Sequence, residues 1–371
     1  MSDAVRQDLF ALPEGSEFSS RYVILRKIPP ENESSFLEQI LVSSLDVPAI
    51  SQGHEISGSV VDPILYNAIE DGDIGFFTGR GFLRVVLSEK ANHNTVIVTE
   101  RCDNRCLFCS QPPKDWDDDW LLIQAAMALA AFNTTSLVGI SGGEPLLYRD
   151  RFVNFLDIIA EHTPQTPLHI LSNGRAFSDA AFTQKIADRC QSLSLTFGIP
   201  LYSAIGAHHD ILVGEKGAFG ETLKGLINAG NSGIPIELRY IPTKLNMYDV
   251  EATFSLASRC LSNLSQFSIM NLEPTGWAKK NWNELYVKPE SYADELVRVI
   301  EMAERSCLPV YLFNYPLCHL PEELRPYAVK SISDWKNYYP EECQGCSLRQ
   351  QCGGYFVSSR GLLHQNARKF I

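Results

Sequence analysis

The sequence predicts an α/β protein: a partial (β/α)6 barrel, with a small β-rich module before it and a Cys-rich extension after it. Three observations support this fold class. Short apolar runs alternate with helix-like segments between residues 93 and 306, β-rich runs surround a Gly-containing turn at 72–90, and Pro and Cys become denser after residue 308. Alternation of strands and helices over this length is typical of a parallel sheet with right-handed crossover connections.

The N-terminal module is predicted from a hairpin. The run GDIGFFTGRGFLRVVLSEK, at 72–90, places two segments rich in β-branched and aromatic residues on either side of a turn. We assign residues 1–90 to this β-rich module, 91–290 to the barrel core and 291–371 to the C-terminal extension.

Six strand–helix units follow in order along the core. The predicted strands are NTVIVTE (94–100), SLVGI (136–140), LHILS (168–172), SLTFGIP (194–200), IELRYI (236–241) and FSIMNL (267–272). The predicted helices occupy 120–133, 149–162, 178–190, 218–230, 249–261 and 292–306. None of these strands leads into a G-x-G-x-x-G turn, which disfavours a doubly wound dinucleotide-binding fold. In parallel barrels, catalytic groups lie on the loops after the strand C-termini.

Composition excludes several classes of function. The 371 residues are 45% hydrophobic and 20% charged, as in soluble globular proteins, and the formal net charge of −12 argues against a general nucleic-acid binder. The N-terminus lacks the basic start and apolar segment of a secretory signal, and no uncharged apolar run is long enough to span a bilayer. We therefore expect a cytoplasmic protein with no membrane or nucleic-acid partner.

Three of the ten cysteines lie just beyond the first barrel strand. Cys102, Cys106 and Cys109 have the spacing C-x3-C-x2-C, and a chain without a secretory signal favours metal binding over disulfides. Three thiolates can hold three irons of a cubane cluster and leave the fourth iron open to a non-protein ligand. The alternative is a three-cysteine zinc site completed by water or a distant ligand.

A second motif, SGGEP at 141–145, follows the next strand. Its two glycines let the backbone come close to a ligand, and Glu144 offers a carboxylate to a cationic amine. A lone GGEP is most often an ordinary loop. Its place after the second strand, with the cysteine motif after the first, makes it more specific.

The C-terminal extension carries a second group of cysteines. Cys343, Cys346 and Cys352 follow the pattern C-x2-C-x5-C and precede GGYF, with Cys318 upstream. Because Cys-x2-Cys is common in zinc ribbons, structural zinc is one interpretation and an iron–sulfur cluster is the other. The remaining cysteines are predicted to be small buried apolar side chains: Cys190, Cys260 and Cys307.

The two motifs on the barrel strands together resemble the radical S-adenosylmethionine (radical SAM) superfamily. The resemblance implies a radical SAM barrel and a 4Fe-4S cluster whose unique iron binds the amino and carboxylate groups of S-adenosylmethionine. It implies reductive cleavage of that cofactor to a 5′-deoxyadenosyl radical, which abstracts a hydrogen from the substrate. An electron donor such as flavodoxin or ferredoxin is implied as well.

The resemblance assigns roles by position. Cys102, Cys106 and Cys109 match the cluster ligands, and Phe108 matches the aromatic residue that packs near the adenine. The segment that binds the methionyl amine corresponds to Gly142, Gly143, Glu144 and Pro145.

Later strands supply further matches and one departure. Asn173, in SNG after the third strand, matches a residue near the cofactor, and Arg239, in ELRYI, matches a strand arginine that contacts the cofactor carboxylate. Many relatives show Ser-Leu-Tyr-Gly after the fourth strand, whereas this chain reads PLYS. Pro200 cannot make the usual serine contact, and Ser203 is a weak substitute.

A closer resemblance reaches the C-terminus. HNTVIVTERCDNRCLFCSQPPKDWDD (93–118) and SISDWKNYYPEECQGCSLRQQCGGYFVSS (331–359) resemble the radical SAM maturases of the His-Xaa-Ser system. This implies a peptide or protein precursor with His-Xaa-Ser repeats, a sister radical SAM maturase and a second, auxiliary 4Fe-4S cluster. Its ligands would be Cys318, Cys343, Cys346 and Cys352. Without Cys318 an open iron could hold substrate, and we favour full ligation.

The functional prediction is therefore a radical SAM enzyme that modifies side chains of a ribosomally synthesised peptide or protein precursor. One alternative is a radical SAM enzyme that acts on a small molecule. An alternative of another class is a zinc-stabilised, non-catalytic binding protein.

Three other features are weaker candidates. The acidic run DWDDD (115–119) could contact a cationic peptide, although such runs are more often solvated faces. His208 or His209 could carry a proton, although loop packing is the commoner role. Glu273 and Trp277, after the sixth strand, could line the substrate side or form a structural turn.

Overall fold

A computed structural model describes residues 21–28, 39–44, 55–58, 67, 69–77, 83–132, 134–333, 336–361 and 367–370. Within these residues the chain forms an antiparallel N-terminal sheet, a parallel sheet with helices and a small C-terminal hairpin. The predicted fold class, a partial α/β barrel with a β-rich N-terminal module, is confirmed.

The N-terminal sheet has five antiparallel strands in the order β3-β2-β1-β4-β5. The strands are β1 (Arg21–Ile28), β2 (Gln39–Ser44), β3 (Glu55–Gly58), β4 (Ile74–Phe77) and β5 (Leu83–Leu87). The pairing of β4 with β5 confirms the hairpin expected at 72–90. Ile74 and Leu87 are fully buried in the main hydrophobic core, so this sheet packs against the barrel.

The parallel sheet has eight strands, arranged in their order along the chain. They are β6 (Asn94–Ile97), β7 (Val138–Ser141), β8 (Leu168–Leu171), β9 (Leu195–Pro200), β10 (Ile236–Tyr240), β11 (Leu264–Met270), β12 (Val310–Phe313) and β13 (Ala328–Val329). The first six match the six predicted strands. The last two come from the stretch after residue 308, which its prolines had marked as loop-rich. Pairing along an existing sheet edge stabilises strands this short.

Six longer helices pack on the parallel sheet, and three shorter ones pack beside Phe108. They are α1 (Asp119–Ala131), α2 (Asp150–His162), α3 (Ala180–Arg189), α4 (Gly206–Val213), α5 (Ala218–Asn231), α6 (Val250–Cys260), α7 (Gly276–Lys280), α8 (Trp282–Leu285) and α9 (Ala293–Ser306). Six of them match the predicted helices. The three shorter ones, α4, α7 and α8, lie where the sequence predicts no helix.

Alternation along the strands separates an apolar outer face from a polar inner one. Ile170 and Leu238 are fully buried in the core shared with the helices. Their neighbours His169, Glu237 and Arg239 point to the opposite face, since successive side chains of a strand alternate. The inside of the partial barrel is therefore lined with charged groups.

The C-terminal hairpin pairs β14 (Asn337–Tyr338) with β15 (Tyr355–Phe356). The chain between these strands, 339–354, carries the C-terminal cysteine motif. Closing the hairpin brings the two ends of the motif together.

Two of the isolated cysteines were wrongly predicted to be buried. Cys260 and Cys307 are exposed, and Cys190 is half-buried. Cys260 is the last residue of α6, and Cys307 ends α9 with a φ of 56°. Side chains at such helix ends meet solvent. Among the described residues, no helix combines the length and apolar character needed to cross a membrane.

Candidate active site

The cysteine loop, residues 102–109, is held by hydrogen bonds from two other parts of the barrel. Leu107 N donates to Leu212 O of α4 at 2.9 Å, and Trp277 N at the start of α7 donates to Cys109 O at 2.8 Å. A side chain on Gly276 could not fit, because its Cβ would lie 2.4 Å from Cys109 O. Trp277 therefore supports the loop through its backbone.

The SGGEP loop packs directly on the chain that enters the cysteine loop. Gly143 N donates to Thr99 O at 2.8 Å, and Glu144 N donates to Arg101 O at 2.8 Å. A Cβ on Gly142 would lie 2.3 Å from Thr99 O, and one on Gly143 would lie 2.0 Å from Arg101 O. Both glycines are required because two backbones meet here without room for a side chain.

Glu144 is buried among hydrogen-bond donors. Its side chain is 1% exposed and accepts from Leu146 N (2.9 Å), Ser172 Oγ (2.8 Å) and Asn173 N (2.5 Å). Burial raises the pKa of Glu144 to about 7, although these bonds act to lower it. A positively charged group beside the carboxylate would offset the cost of burial.

The three thiols of the cysteine loop are close enough to influence one another. Burial, followed by the nearby Cys109, raises the pKa of Cys106 to about 12, and burial also raises the pKa values of Cys102 and Cys109. Three thiolates here therefore need the positive charge of bound metal. No three His, Cys, Asp or Glu side chains of the described residues converge to hold a single ion. A cubane needs no such convergence, because each thiolate binds a different iron.

Phe108 lies in a small apolar cluster beside this loop. It is 6% exposed and meets Tyr202 edge-on, with ring centroids 4.8 Å apart. Leu212, Leu272 and Ala278 belong to the same cluster. Phe108 thus anchors the loop to α4 and to the segment after β11, and its contact with an adenine stays a prediction.

Arg175, which the sequence analysis missed, joins the third barrel strand to the cysteine loop. Its guanidinium donates to Asp103 O at 2.8 Å and to Asn104 Oδ1 at 2.9 Å. Asn173 Nδ2 contacts the same loop at Asp103 Oδ1, at 2.6 Å. The sequence indicated this role only by a basic residue directly after the SNG turn.

A cavity of about 250 Å³ adjoins Arg175 and Asp103. It is lined by Asp103, Glu144, Leu146, Leu147, Arg149, Arg175, Ala176, Ser178 and Glu221.

Arg239 lies inside the barrel with an unsatisfied donor. Its Nη2 is 3.0 Å from Met270 Sδ, whereas its Nε is buried and has no hydrogen-bond partner. An anionic group in the barrel could accept from this Nε. This fits the expected contact with a carboxylate.

Glu237 and His169 form a second interior group that the sequence analysis missed. His169 Nε2 lies 2.6 Å from Glu237 Oε2. Burial acts to raise the pKa of Glu237, but the hydrogen bond from His169 and the charge of Arg239 outweigh it and hold the pKa at about 2. The alternation of charged and apolar residues in IELRYI was the sequence feature that indicated charged side chains inside the barrel.

The loop after β9 uses its polar side chains internally. Ser203 Oγ donates to Asp249 Oδ2 at 2.7 Å, and His208 Nδ1 lies 2.6 Å from the same oxygen. His209 is 1% exposed and accepts from Tyr202 N, and burial lowers its pKa to about 4. Ser203 is therefore engaged within the protein, and His209 is a packing residue.

The acidic run 115–119 includes a fully buried carboxylate, so its interpretation as a solvated face is wrong for Asp118. Asp118 accepts from Thr99 Oγ1 (3.0 Å), Arg101 Nε (3.0 Å) and Tyr148 OH (3.2 Å). Asp119 pairs with Arg101 as well. Asp118 thus holds the chain that leads from β6 into the cysteine loop.

The four C-terminal cysteines line one cavity, together with Tyr339 and Tyr355. Their positions are Cys318, Cys343, Cys346 and Cys352. Cys352 Sγ accepts from Leu317 N and Gly354 N, each at 3.4 Å. Donors of this kind are typical around metal-bound sulfur.

The thiols of this second site differ in acidity. Burial and the other three cysteines raise the pKa of Cys343 to about 11. Burial would also raise that of Cys318, but hydrogen bonds from His319 and Tyr355 lower its pKa to about 7. The structure thus brings Cys318, remote in sequence, beside the other three and stabilises its thiolate.

The C-terminal extension also contacts the loop after β11. Lys336 Nζ lies 3.3 Å from Glu273 Oε2. Glu273 therefore forms a link between the barrel and the extension.

A family model described as the Radical SAM superfamily matches residues 96–257. The Fe-coproporphyrin III synthase of Methanosarcina barkeri is 28% identical over 166 residues, covering 43% of this chain and 39% of that protein. The GTP 3′,8-cyclase of Sulfurovum sp. is 28% identical over 155 residues, covering 40% and 45%. The chain thus spans less than half the length of these two relatives.

Solved structures show the same fold. Native anSMEcpe with bound AdoMet superposes with a TM-score of 0.51 at 12% identity, over 74% of this chain and 92% of that one. At this identity the likeness concerns the fold.

Proposed function

We propose that this chain, whose residues 96–257 match the Radical SAM superfamily model, is a radical SAM enzyme that modifies side chains of a ribosomally synthesised peptide or protein precursor. The observation that carries this proposal is the second cysteine site, where four cysteines line one cavity of the C-terminal extension. The C-x2-C-x5-C-G-G pattern of that site resembles the auxiliary-cluster regions of radical SAM peptide maturases.

The site residues fit the cofactors that the family implies. Cys102, Cys106 and Cys109 would hold the 4Fe-4S cluster, and Glu144 and Arg239 would bind the amine and carboxylate of S-adenosylmethionine. When bound, the reduced cluster supplies the electron that cleaves S-adenosylmethionine to a 5′-deoxyadenosyl radical. Gly142, Gly143 and Pro145 shape the amine-binding loop, while Phe108 would pack near the adenine and Asn173 would lie near the cofactor.

The protein orients these groups through contacts between neighbouring loops. Glu144 is aimed by Ser172 and the backbone of Asn173, which follow β8. Arg239 is placed beside Glu237 in β10, which favours its positive charge inside the barrel. A buried carboxylate and a buried guanidinium nitrogen suit a zwitterionic amino acid, since each charge meets its opposite.

We propose a second, auxiliary 4Fe-4S cluster that is fully ligated by Cys318, Cys343, Cys346 and Cys352. Its role would be electron transfer or support of the extension. The proposed partners are a precursor with His-Xaa-Ser repeats, a sister radical SAM maturase, and flavodoxin or ferredoxin as electron donor.

A comparable fold is known with a peptide. A structure of native anSMEcpe is described with bound AdoMet and Cp18Cys peptide, and it matches this chain with a TM-score of 0.50 at 12% identity. The likeness concerns the fold, which in that protein binds a peptide.

The second candidate function is action on a small molecule. The GTP 3′,8-cyclase and the Fe-coproporphyrin III synthase carry the names of small-molecule reactions. A zinc-stabilised binding protein is the candidate of another class, and metal analysis separates it from the enzymes.

Co-expression tests the peptide proposal. The chain is produced with the product of a neighbouring reading frame that encodes His-Xaa-Ser repeats, and the precursor is analysed by mass spectrometry. We expect a mass change that disappears in the Cys102→Ala/Cys106→Ala/Cys109→Ala variant. An unchanged precursor, with 5′-deoxyadenosine still formed and the sister maturase present, would favour the small-molecule function.

A further inference from the structure

A row of three side chains extends away from the sulfur of Cys318. Tyr355 OH lies 3.2 Å from Cys318 Sγ and 2.8 Å from His319 Nε2. His319 Nδ1 lies 2.9 Å from Glu290 Oε1, which Arg368 Nη2 contacts at 2.5 Å. Tyr355 and His319 are 6% and 5% exposed, so water competes little with these bonds.

The chemistry of a metal-bound cysteine identifies the donor in this row. A cysteine that binds metal is a thiolate, which carries no proton and can only accept. The Tyr355 hydroxyl is therefore the donor in its contact with Cys318 Sγ. His319 contacts Tyr355 through Nε2 and Glu290 through Nδ1, so it holds the tyrosine in place. The row therefore points the hydroxyl hydrogen of Tyr355 at the sulfur.

We propose that Tyr355, oriented by His319 and Glu290, donates a hydrogen bond to the Cys318 thiolate and thereby raises the reduction potential of the auxiliary cluster. This inference rests on the proposed function, since it needs a cluster at the second cysteine site. A hydrogen bond to a ligand sulfur stabilises the reduced cluster, which carries the greater negative charge, more than the oxidised one.

Two ligand sulfurs of this site differ in the kind of donor around them. Cys352 receives hydrogen bonds from the backbone, at Leu317 and Gly354, which the fold itself provides. Cys318 is contacted by the backbone of Arg368 and by the side chains of His319 and Tyr355. Tyr355 lies in β15, paired with Tyr338 of β14. A single substitution can remove that donor and leave the backbone of the site unchanged.

The cavity provides a matched control. Tyr339 also lines it, but its hydroxyl donates to the backbone at Cys352 O, at 2.7 Å. Tyr339→Phe therefore makes the same chemical change as Tyr355→Phe but removes a bond to a backbone oxygen. Neither tyrosine has an assigned contact with the substrate or with S-adenosylmethionine.

The test measures potentials in the anaerobically reconstituted full chain. Redox titration followed by electron paramagnetic resonance gives the midpoint potential of each cluster, and the Cys102→Ala/Cys106→Ala/Cys109→Ala variant identifies the auxiliary signal. We expect Tyr355→Phe to shift the auxiliary midpoint to a more negative potential at unchanged iron content, and Tyr339→Phe to leave it in place. His319→Gln, which keeps an N–H donor, should shift it less than His319→Leu.

Two results would overturn the inference in distinguishable ways. If Tyr355→Phe and Tyr339→Phe both keep the wild-type potential, the inference fails and the auxiliary cluster stands. If the wild-type chain holds about four irons and shows one cluster signal, both the inference and the auxiliary cluster fail. If Tyr355→Phe loses iron, equal potentials in the two His319 variants overturn the inference.

Discussion

The role of Asp118 depends on the residues that surround it in the fold, and its neighbours in the sequence do not reveal it. Asp118 lies in the acidic run 115–119, yet it is fully buried and accepts from Thr99, Arg101 and Tyr148. A buried carboxylate is tolerated when hydrogen-bond donors and a positive charge surround it. At the scale of the residue, Asp118 thus holds in place the chain between β6 and the cysteine loop.

Asp118→Ala is therefore expected to destabilise the fold. The variant leaves buried donors without an acceptor, which should lower the free energy of unfolding by about 3 kcal/mol. Denaturant unfolding of the metal-free chain measures this change. Asp115→Ala, at an exposed position of the same run, is the control and should change it by less than about 0.5 kcal/mol. Equal values for the two variants would refute the assigned role.

At the scale of the elements, the packing of neighbouring loops sets the shape of the first cysteine site. The loops after β6, β7 and β8 meet at the carboxyl end of the parallel sheet, where Gly143, Glu144 and Arg175 each contact the chain around the first cysteine. The cysteine loop has no helix or strand of its own. Its shape is set by the neighbouring loops, as in other parallel barrels.

Gly143→Ala should disrupt this packing. The added methyl group would lie 2.0 Å from Arg101 O, so the two loops must separate. We expect loss of iron at the first cysteine site, seen as a fall of about four irons per chain after reconstitution. Gly220→Ala in α5 is the matched control, because its Cβ meets nothing within 4 Å. That variant should retain iron and gain about 0.5–1 kcal/mol of stability.

At the scale of the whole molecule, charged side chains inside the barrel connect strands that are distant in sequence. His169 from β8 and Arg239 from β10 act on Glu237, whose pKa is about 2 instead of its usual 4.5. A carboxyl with a lowered folded-state pKa contributes stability above its unfolded value, and this contribution is lost as the pH falls through the folded value. The relevant window is therefore from about pH 4.5 down to about pH 2.

Glu237→Gln tests that window. The lowered pKa corresponds to about 3 kcal/mol of stability at neutral pH. The difference in unfolding free energy between the wild type and this variant should shrink as the pH falls from about 4.5 to 2. Denaturant unfolding at a series of pH values gives this difference. A difference that stays constant across the window would contradict the linkage.

The two cysteine sites lie on different parts of the molecule, one after β6 and one at the C-terminal hairpin. Cys343→Ala/Cys352→Ala should therefore lower iron from about eight to about four per chain while 5′-deoxyadenosine is still formed. Cys260→Ala, which removes an exposed cysteine outside both sites, should change neither measurement. Stoichiometric zinc without iron would instead favour the zinc-stabilised binding protein.

Local patterns were sufficient for the fold class, the six core strands and the two cysteine groups. Hydrophobic alternation reports which face of a strand is buried, and the spacing of ligands within one loop is itself a local property. The same patterns were insufficient for Asp118, Arg175, Glu237 and Cys260, because their surroundings come from distant segments. A charged residue looks the same in a sequence whether it is solvated or buried.

The sequence alone thus established a barrel with three cysteines after its first strand and a glycine–carboxylate motif after its second. Only the tertiary structure could decide that Cys318 lies beside Cys343, Cys346 and Cys352, and that the Tyr355 hydroxyl lies 3.2 Å from the Cys318 sulfur. The reason is physical: ligand spacing is written along the chain, whereas burial, charge pairing and the direction of hydrogen bonds arise when separate elements pack together.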